Sequence, residues 1–263
     1  MTEFKVCATG TSGLIGRNLS EGVKSIEGNL LEETWRQKED IQNINSLIHL
    51  AGVVGERNVL RDEEYAHRVN VYATTQLAKF IRDESQATFL FVSSAHVYKS
   101  KNTEISEQDP MMPLNKYGEQ KALAEVALHE VFRGEPDRLK ILRVFSILNL
   151  SMQEGTLGWA IENARSQPVN FGEDIRDFLS AKQVARIIEK LASCDFSANV
   201  VNICTGIPTT IKKALTLLLD IDDDLKVTSL CRNGTSKHPV ILGNPTLVKS
   251  ILGEENLKWE FYK

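Results

Sequence analysis

Tyr117 and Lys121 stand four residues apart in a stretch with helical spacing, 117–132, so their side chains share one helix face. A phenol beside an ammonium is a pair suited to proton transfer. An isolated tyrosine titrates near pH ~10, and service as an acid or base near pH ~7 asks for a shift of roughly three units, about 4 kcal/mol in favour of the phenolate. A neighbouring cation supplies an effect of that order. Ser94, just past the apolar run 88–92, offers a hydroxyl able to hydrogen-bond the same substrate oxygen. The same spacing also describes an exposed tyrosine and lysine on any helix, so the pair decides nothing alone.

A second constellation lies at 4–17, FKVCATGTSGLIGR. An apolar strand with Phe4, Val6 and Ala8 runs into Gly10, Gly13 and Gly16, and a helix is predicted over 14–21. Glycines let backbone approach a phosphate closely, and a helix N-terminus offers free N–H groups and a positive dipole end. Glycines three apart also fit a surface turn, and the remaining motifs are needed to choose.

Several classes are excluded by composition. At 263 residues, 42% hydrophobic and 25% charged, the chain resembles an ordinary globular protein that suits one domain with an appended lobe. A net charge of −4 argues against general nucleic-acid binding, which needs a basic face. No apolar run approaches the roughly 18 residues of a membrane span, so a soluble, cytoplasmic protein is expected. Cys7, Cys194, Cys204 and Cys231 lack metal-ligand spacing and read as buried free thiols, with no metal site.

The elements that must position these groups alternate. Gly22 reads as the C-cap of the first helix, 23–26 as a short extended piece, and 32–42 as a polar helix. The run 47–52, LIHLAG, reads as a strand buried on both faces. A helix over 63–82 carries Tyr65, Val69, Tyr72, Leu77 and Phe80 near one side and delivers Asn70; the strand 88–92 follows, with Ser93 and Ser94 at its C-terminal edge. The helix 117–132 places Ala122, Leu123, Val126 and Ala127 on its apolar side, and 140–145 is another strand. Strands alternating with helices imply an α/β fold with a doubly wound, Rossmann-like parallel sheet, whose ligands bind at the C-terminal strand edge. Beyond Leu150 glycines and prolines, among them Gly155, Gly158 and Pro168, punctuate shorter elements: a helix at 181–191, a strand at 200–204, and helices at 212–219 and 246–252. The expected organisation is a dinucleotide-binding domain over 1–150 and a small C-terminal substrate lobe over 151–263, with 174–206 returning to the first domain.

Taken together, these motifs resemble the extended short-chain dehydrogenase/reductases, in particular the NAD(P)-dependent sugar-nucleotide epimerase/dehydratase branch. The residues that carry the resemblance are 9–16 (TGTSGLIG), 49–52 (HLAG), Asn70, 93–98 (SSAHVY), and 113–117 (PLNKY) with Lys121; Arg143, 176–178 (RDF) and 202–206 follow. It implies a cofactor, NAD or NADP, held by Gly10, Ser12, Gly13, Leu14, Ile15, Gly16, Asn29, Leu30, Leu50, Ala51, Gly52, Asn70, Ser93, Tyr117 and Lys121. It makes Tyr117 the proton donor or acceptor, with Lys121 lowering its pKa and holding the nicotinamide ribose, and Ser94 the residue that orients the substrate oxygen. Arg176 matches an arginine on the substrate diphosphate, where a bidentate guanidinium serves best. Ser146 stands where relatives carry a substrate-facing asparagine.

Three departures are informative. Ala95 and His96 replace the Asp-Glu pair of dehydratases, which argues against dehydration. His96 occupies the position of a cysteine acid/base in some epimerases of GDP-sugars, where histidine suits proton transfer near neutral pH; a packed or solvent-facing histidine fits as well. The stretch between Gly16 and Asn29 is short, removing most of the usual second strand and its helix, so the acid that grasps the adenosine ribose is reduced to Glu27. Arg17 would favour a 2′-phosphate. The implied activity is hydride transfer at a hexose carbon of a nucleotide sugar, as a 4-epimerase or a 4-ketoreductase, in a homodimer built from the helices 63–82 and 117–132. The alternative is a dinucleotide-binding sensor or scaffold without turnover.

Overall fold

The computed structural model describes residues 5–37, 41, 43–148, 170–219 and 224–257. Phe4, Gly155, Gly158 and Pro168 lie outside them, as does part of the predicted helix 32–42. In chain order the strands are β1 (Val6–Thr9), β2 (Lys24–Ser25), β3 (Ser46–His49), β4 (Thr88–Ser94), β5 (Leu139–Val144), β6 (Ser146–Leu148), β7 (Asn170–Phe171), β8 (Ile175–Ser180), β9 (Val200–Ile203), β10 (Pro208–Thr210), β11 (Cys231–Arg232) and β12 (Val240–Ile241). The main sheet is parallel throughout, in the order β2-β1-β3-β4-β5-β9.

Because strand side chains alternate between faces, each strand feeds two cores. Cys7, Leu47, Phe89, Phe91 and Ile141 pack on one face against Leu77, Ile81, Leu128 and Phe132. These belong to the helices α3 (Thr74–Glu84) and α4 (Lys116–Val131) and to the residue that ends α4; before α3 come α1 (Glu56–Arg61) and α2 (Glu63–His67). Val6, Ala8, Ile48, Leu90, Val92 and Leu142 pack on the other face against Val184, Ile187, Ile188 and Leu191 of α5 (Ala181–Ala192). A reciprocal capping box between Ser180 and Gln183 starts α5. A second sheet, in which β8 pairs with β6, β10 and β12, sits beside the first, together with α6 (Ile211–Leu219), α7 (Asp224–Ser229) and α8 (Thr246–Leu252).

Four expectations change. The helix expected at 14–21 is a single 3-10 turn, Gly16–Asn18, and the chain is extended by Leu19, so Gly22 caps nothing. A short helix repays its nucleation cost poorly, and the Asn18 side chain bonds the Leu14 carbonyl at 2.9 Å in competition with the backbone. At 32–42 the described residues form the 3-10 turn Thr34–Gln37, with Ile41 also in 3-10 conformation, and no α-helix. The helix expected at 63–82 is interrupted by a π-turn, Arg68–Ala73, and its apolar residues divide: Val69 and Leu77 are buried, while Tyr65 and Tyr72 are each 52% exposed. On α4 the expected apolar side holds only in part: Ala122 is buried as expected. Leu123 and Val126 are exposed, whereas Gln120, Lys121 and Glu125 point inward.

Candidate active site

The glycine turn leaves the C-terminal end of β1 where β2 lies to one side and β3 to the other, the switch point of the sheet. Gly10, at φ +71°, approaches the β3 loop so closely that a Cβ would lie 2.5 Å from the Ala51 nitrogen, and one on Gly16 would run into the Gly10 carbonyl. A Cβ on Gly13 would meet a single atom, the Gly10 oxygen at 3.2 Å. Two glycines thus serve close packing, while the third keeps the face of the turn bare, which fits a pyrophosphate. The dipole contribution of a first helix shrinks with that helix. In its place Arg17 folds back along the turn, 3.3 Å from the Ser12 and Gly13 carbonyls. Asn29 and Leu30 lie beyond β2; the Asn29 side chain accepts from the Leu31 N–H, and Leu30 packs against the first core.

The β3 loop is held from beneath. Asn70, buried in the π-turn, accepts the Val53 N–H at 2.8 Å and donates to the Val53 carbonyl and to Gln120. A Cβ on Gly52 would strike the Asn70 amide oxygen at 2.8 Å and come within 4.0 Å of Lys121 Nζ. His49 is fully buried between the Thr9 and Thr74 hydroxyls, at 2.7 and 2.9 Å. Burial, with the Lys121 charge, holds its pKa down at about 3. Since an unfolded histidine titrates near ~6.5, acidification protonates the unfolded chain first, and stability contributed by this site is lost as pH falls. We expect urea unfolding to show a loss of about 2 kcal/mol between pH ~6.5 and ~5 from this residue; a midpoint that stays flat across the interval would contradict it.

Tyr117 and Ser94 meet beside this crevice, with Lys121 one turn further along α4. Tyr117 is 7% exposed; burial pushes its phenol up to about 12, and a hydrogen bond with Ser94 opposes that only in part. The phenol is therefore protonated at neutral pH. Ser94 also accepts the His96 N–H at 3.2 Å. Lys121 does not act on Tyr117 as expected: its ammonium donates to the Val92 carbonyl at 2.8 Å, lies 4.5 Å from the Phe91 ring, and is brought down to about 8 by burial. The ring of His96 stands edge-on to Tyr117, with centroids 5.8 Å apart. Burial first, then Arg176 and His238, lower its pKa to about 4, below the range of neutral proton transfer.

The Ser93 hydroxyl turns away from the crevice and donates to Glu125. Four residues beyond Lys121, Glu125 is wholly buried and takes a bidentate contact from Arg143, with Nη2 at 2.6 Å; Arg143 continues to Tyr98, and Tyr98 to Asn202. Glu125 was visible in the sequence only as the next residue on the Lys121 face. Ser146 begins β6 opposite Phe178 of β8, two residues from Arg176. The Arg176 guanidinium is engaged by Asp174 and by the Ile175 and Pro239 carbonyls, yet its charge reaches His96.

The family model described as the NAD dependent epimerase/dehydratase family matches residues 17–204. Among curated proteins, the chain is 26% identical over 278 residues to GDP-6-deoxy-D-talose 4-dehydrogenase of Aggregatibacter actinomycetemcomitans, covering 96% of this chain and 92% of that one. It is 23% identical over 250 residues to GDP-6-deoxy-D-mannose reductase of Pseudomonas aeruginosa, covering 82% and 80%. The solved structure of RMD from Pseudomonas aeruginosa complexed with NADPH shares the fold with a TM-score of 0.78, at 21% identity and covering 99% and 95% of the two chains. That of MoeE5 in complex with UDP-glucuronic acid and NAD does so with a TM-score of 0.75, at 22% identity and covering 95% and 92%.

Proposed function

Because the chain belongs to the NAD dependent epimerase/dehydratase family, we propose that it is an NAD(P)-dependent oxidoreductase of nucleotide sugars that reduces a 4-keto hexose to the alcohol. The observation that carries this reading is the hydrogen bond between the Tyr117 phenol and the Ser94 hydroxyl, with the Lys121 ammonium one helical turn on and next to Gly52 in the loop beside the glycine turn. Two curated relatives aligned over more than four fifths of this chain are by name a 4-dehydrogenase and a reductase of GDP-6-deoxyhexoses, whereas the UDP-glucose epimerases align over shorter stretches, and the longer matches favour net redox at C4 over epimerisation.

The turn at Gly10, Gly13 and Gly16 would hold the cofactor pyrophosphate, with Arg17 alongside. Leu50, Ala51 and Gly52 flank it, and Lys121 lies where Gly52 leaves room for a ribose. When bound, the reduced nicotinamide supplies the hydride. Tyr117, protonated at rest, gives its proton to the carbonyl oxygen as that hydride arrives at carbon, and Ser94 fixes the same oxygen. Ketone, hydride and the Tyr117 proton sum to the alcohol, and Tyr117 would regain its proton from solvent. Residues 1–150 are assigned to the dinucleotide domain and 151–263 mainly to the substrate lobe, with 174–206 returning; α5 on the main sheet and β9 within it support the return from 181 on, whereas β6 and β8 belong to the second sheet.

The test is to follow reduced-nicotinamide absorbance with a 4-keto GDP-sugar. Stoichiometric consumption is the expected result. Product formed without consumption makes the protein an epimerase, dinucleotide affinity without turnover makes it the non-catalytic sensor or scaffold, and no affinity for either dinucleotide by isothermal titration removes both readings.

Tyr65, Tyr72, Leu123 and Val126, each at least half exposed, form an apolar face on α2, the π-turn and α4. This supports a homodimer that packs this face against its copy, buried where a monomer would leave it wet. Val126→Glu is expected to yield a monomer by light scattering at concentrations where the wild type is a dimer; a monomeric wild type contradicts the assembly. Cofactor and substrate are both cytoplasmic metabolites, and we place the protein there. Among the described residues no helix is long and apolar enough to cross a membrane.

A further inference from the structure

We propose that His96 is a specificity-determining hydrogen-bond donor, its Nε2–H offered to a sugar hydroxyl oxygen next to the reacting carbon, because the cap of α4 locks its tautomer. The inference rests on the nucleotide-sugar reading above and gives His96 a role other than acid or base.

The lock starts at the helix. Asn115 is the N-cap of α4, and its Oδ1 accepts the Gly118 N–H at 2.9 Å. Only the oxygen of an amide accepts, so the cap settles which way the amide points. Nδ2 must then face His96 Nδ1, 3.0 Å away. An amide nitrogen only donates, so Nδ1 is the bare acceptor and the neutral ring carries its proton on Nε2.

The ring also has little freedom. The His96 N–H is tied to Ser94, its carbonyl accepts from Leu114 at 3.0 Å, and Gly118 packs so closely that a Cβ there would run into that carbonyl. Burial keeps the ring neutral, with smaller help from Arg176 and His238 against the Asn115 hydrogen bond, and Tyr117 stands edge-on to it. Among the described residues no hydrogen bond reaches Nε2. A fixed neutral N–H seeks an oxygen acceptor. Tyr117 and Ser94 already hold the reacting oxygen, so the acceptor is the hydroxyl beside it.

Asn115→Asp provides the test. Aspartate still caps Gly118, but its second oxygen only accepts, which forces the proton onto Nδ1 and leaves Nε2 bare. Proton–nitrogen NMR of the imidazole should report the Nε2–H tautomer in the wild type at neutral pH and the Nδ1–H tautomer in Asn115→Asp, read at a pH where that ring is neutral, because an imidazolium would keep its Nε2–H. KM for the sugar nucleotide should rise roughly tenfold in Asn115→Asp and His96→Leu, the worth of one hydrogen bond, and recover in His96→Gln, which keeps a donor. An Nδ1–H or charged ring in the wild type overturns the lock. A loss confined to kcat, with a shifted pH profile, overturns the specificity role in favour of proton transfer. Absence of turnover by the wild type itself would count against the parent reading, and the NMR result would still decide the lock.

Discussion

Tyr117→Phe is expected to lower kcat by 10²- to 10⁴-fold, the usual weight of a positioned acid–base group, while dinucleotide affinity changes less than about threefold and the protein stays folded. The phenyl ring fills the same volume, so the buried packing survives, and the substitution removes one hydroxyl together with its bond to Ser94. Burial pushes the phenol up to about 12, so it is protonated throughout the neutral range, as an unperturbed tyrosine already is, and it can part with that proton only to a carbonyl oxygen that grows basic as the hydride adds. The measurement is steady-state kinetics beside isothermal titration of the reduced dinucleotide. Activity within tenfold of wild type would remove Tyr117 from the chemistry.

Glu125→Ala should cost about 3–5 kcal/mol of stability, because it strands a buried arginine. Arg143 is 5% exposed and gives both Nε and Nη2 to the Glu125 carboxylate, whose other oxygen also accepts from Ser93. Tyr98 would be its one remaining side-chain partner, through a 2.7 Å hydrogen bond. For a chain of this size the melting temperature should fall by roughly 10 °C. Removing both charges in Glu125→Leu with Arg143→Met should recover much of the loss, since the penalty belongs to the unpaired charge. A single variant within 1 kcal/mol of wild type would show that the pair is solvated in solution.

The alternation of strand and helix, the glycine turn, and the placement of Tyr117 and Lys121 on one helix were all legible before any coordinates, because each follows from spacing within a few residues. So was Asn70, although its burial was not. The misread elements are those decided by distant partners. Leu123 and Val126 look like a core stripe on α4, but Lys121 turns inward to the Val92 carbonyl and Glu125 to Arg143, and those contacts outweigh local hydropathy. The first helix failed because a segment this short has too few intrahelical bonds to repay nucleation, and its end is drawn instead onto Glu189.

The sequence by itself determined the layer architecture, the crevice at the strand ends and the identity of the groups gathered there, since period and turn chemistry are local properties. Only the tertiary structure decided how those groups are set: Tyr117 protonated, Lys121 directed at a backbone carbonyl, and His96 held in one tautomer. Protonation and tautomer depend on burial and on hydrogen bonds made across the fold, and no pattern along the chain encodes them.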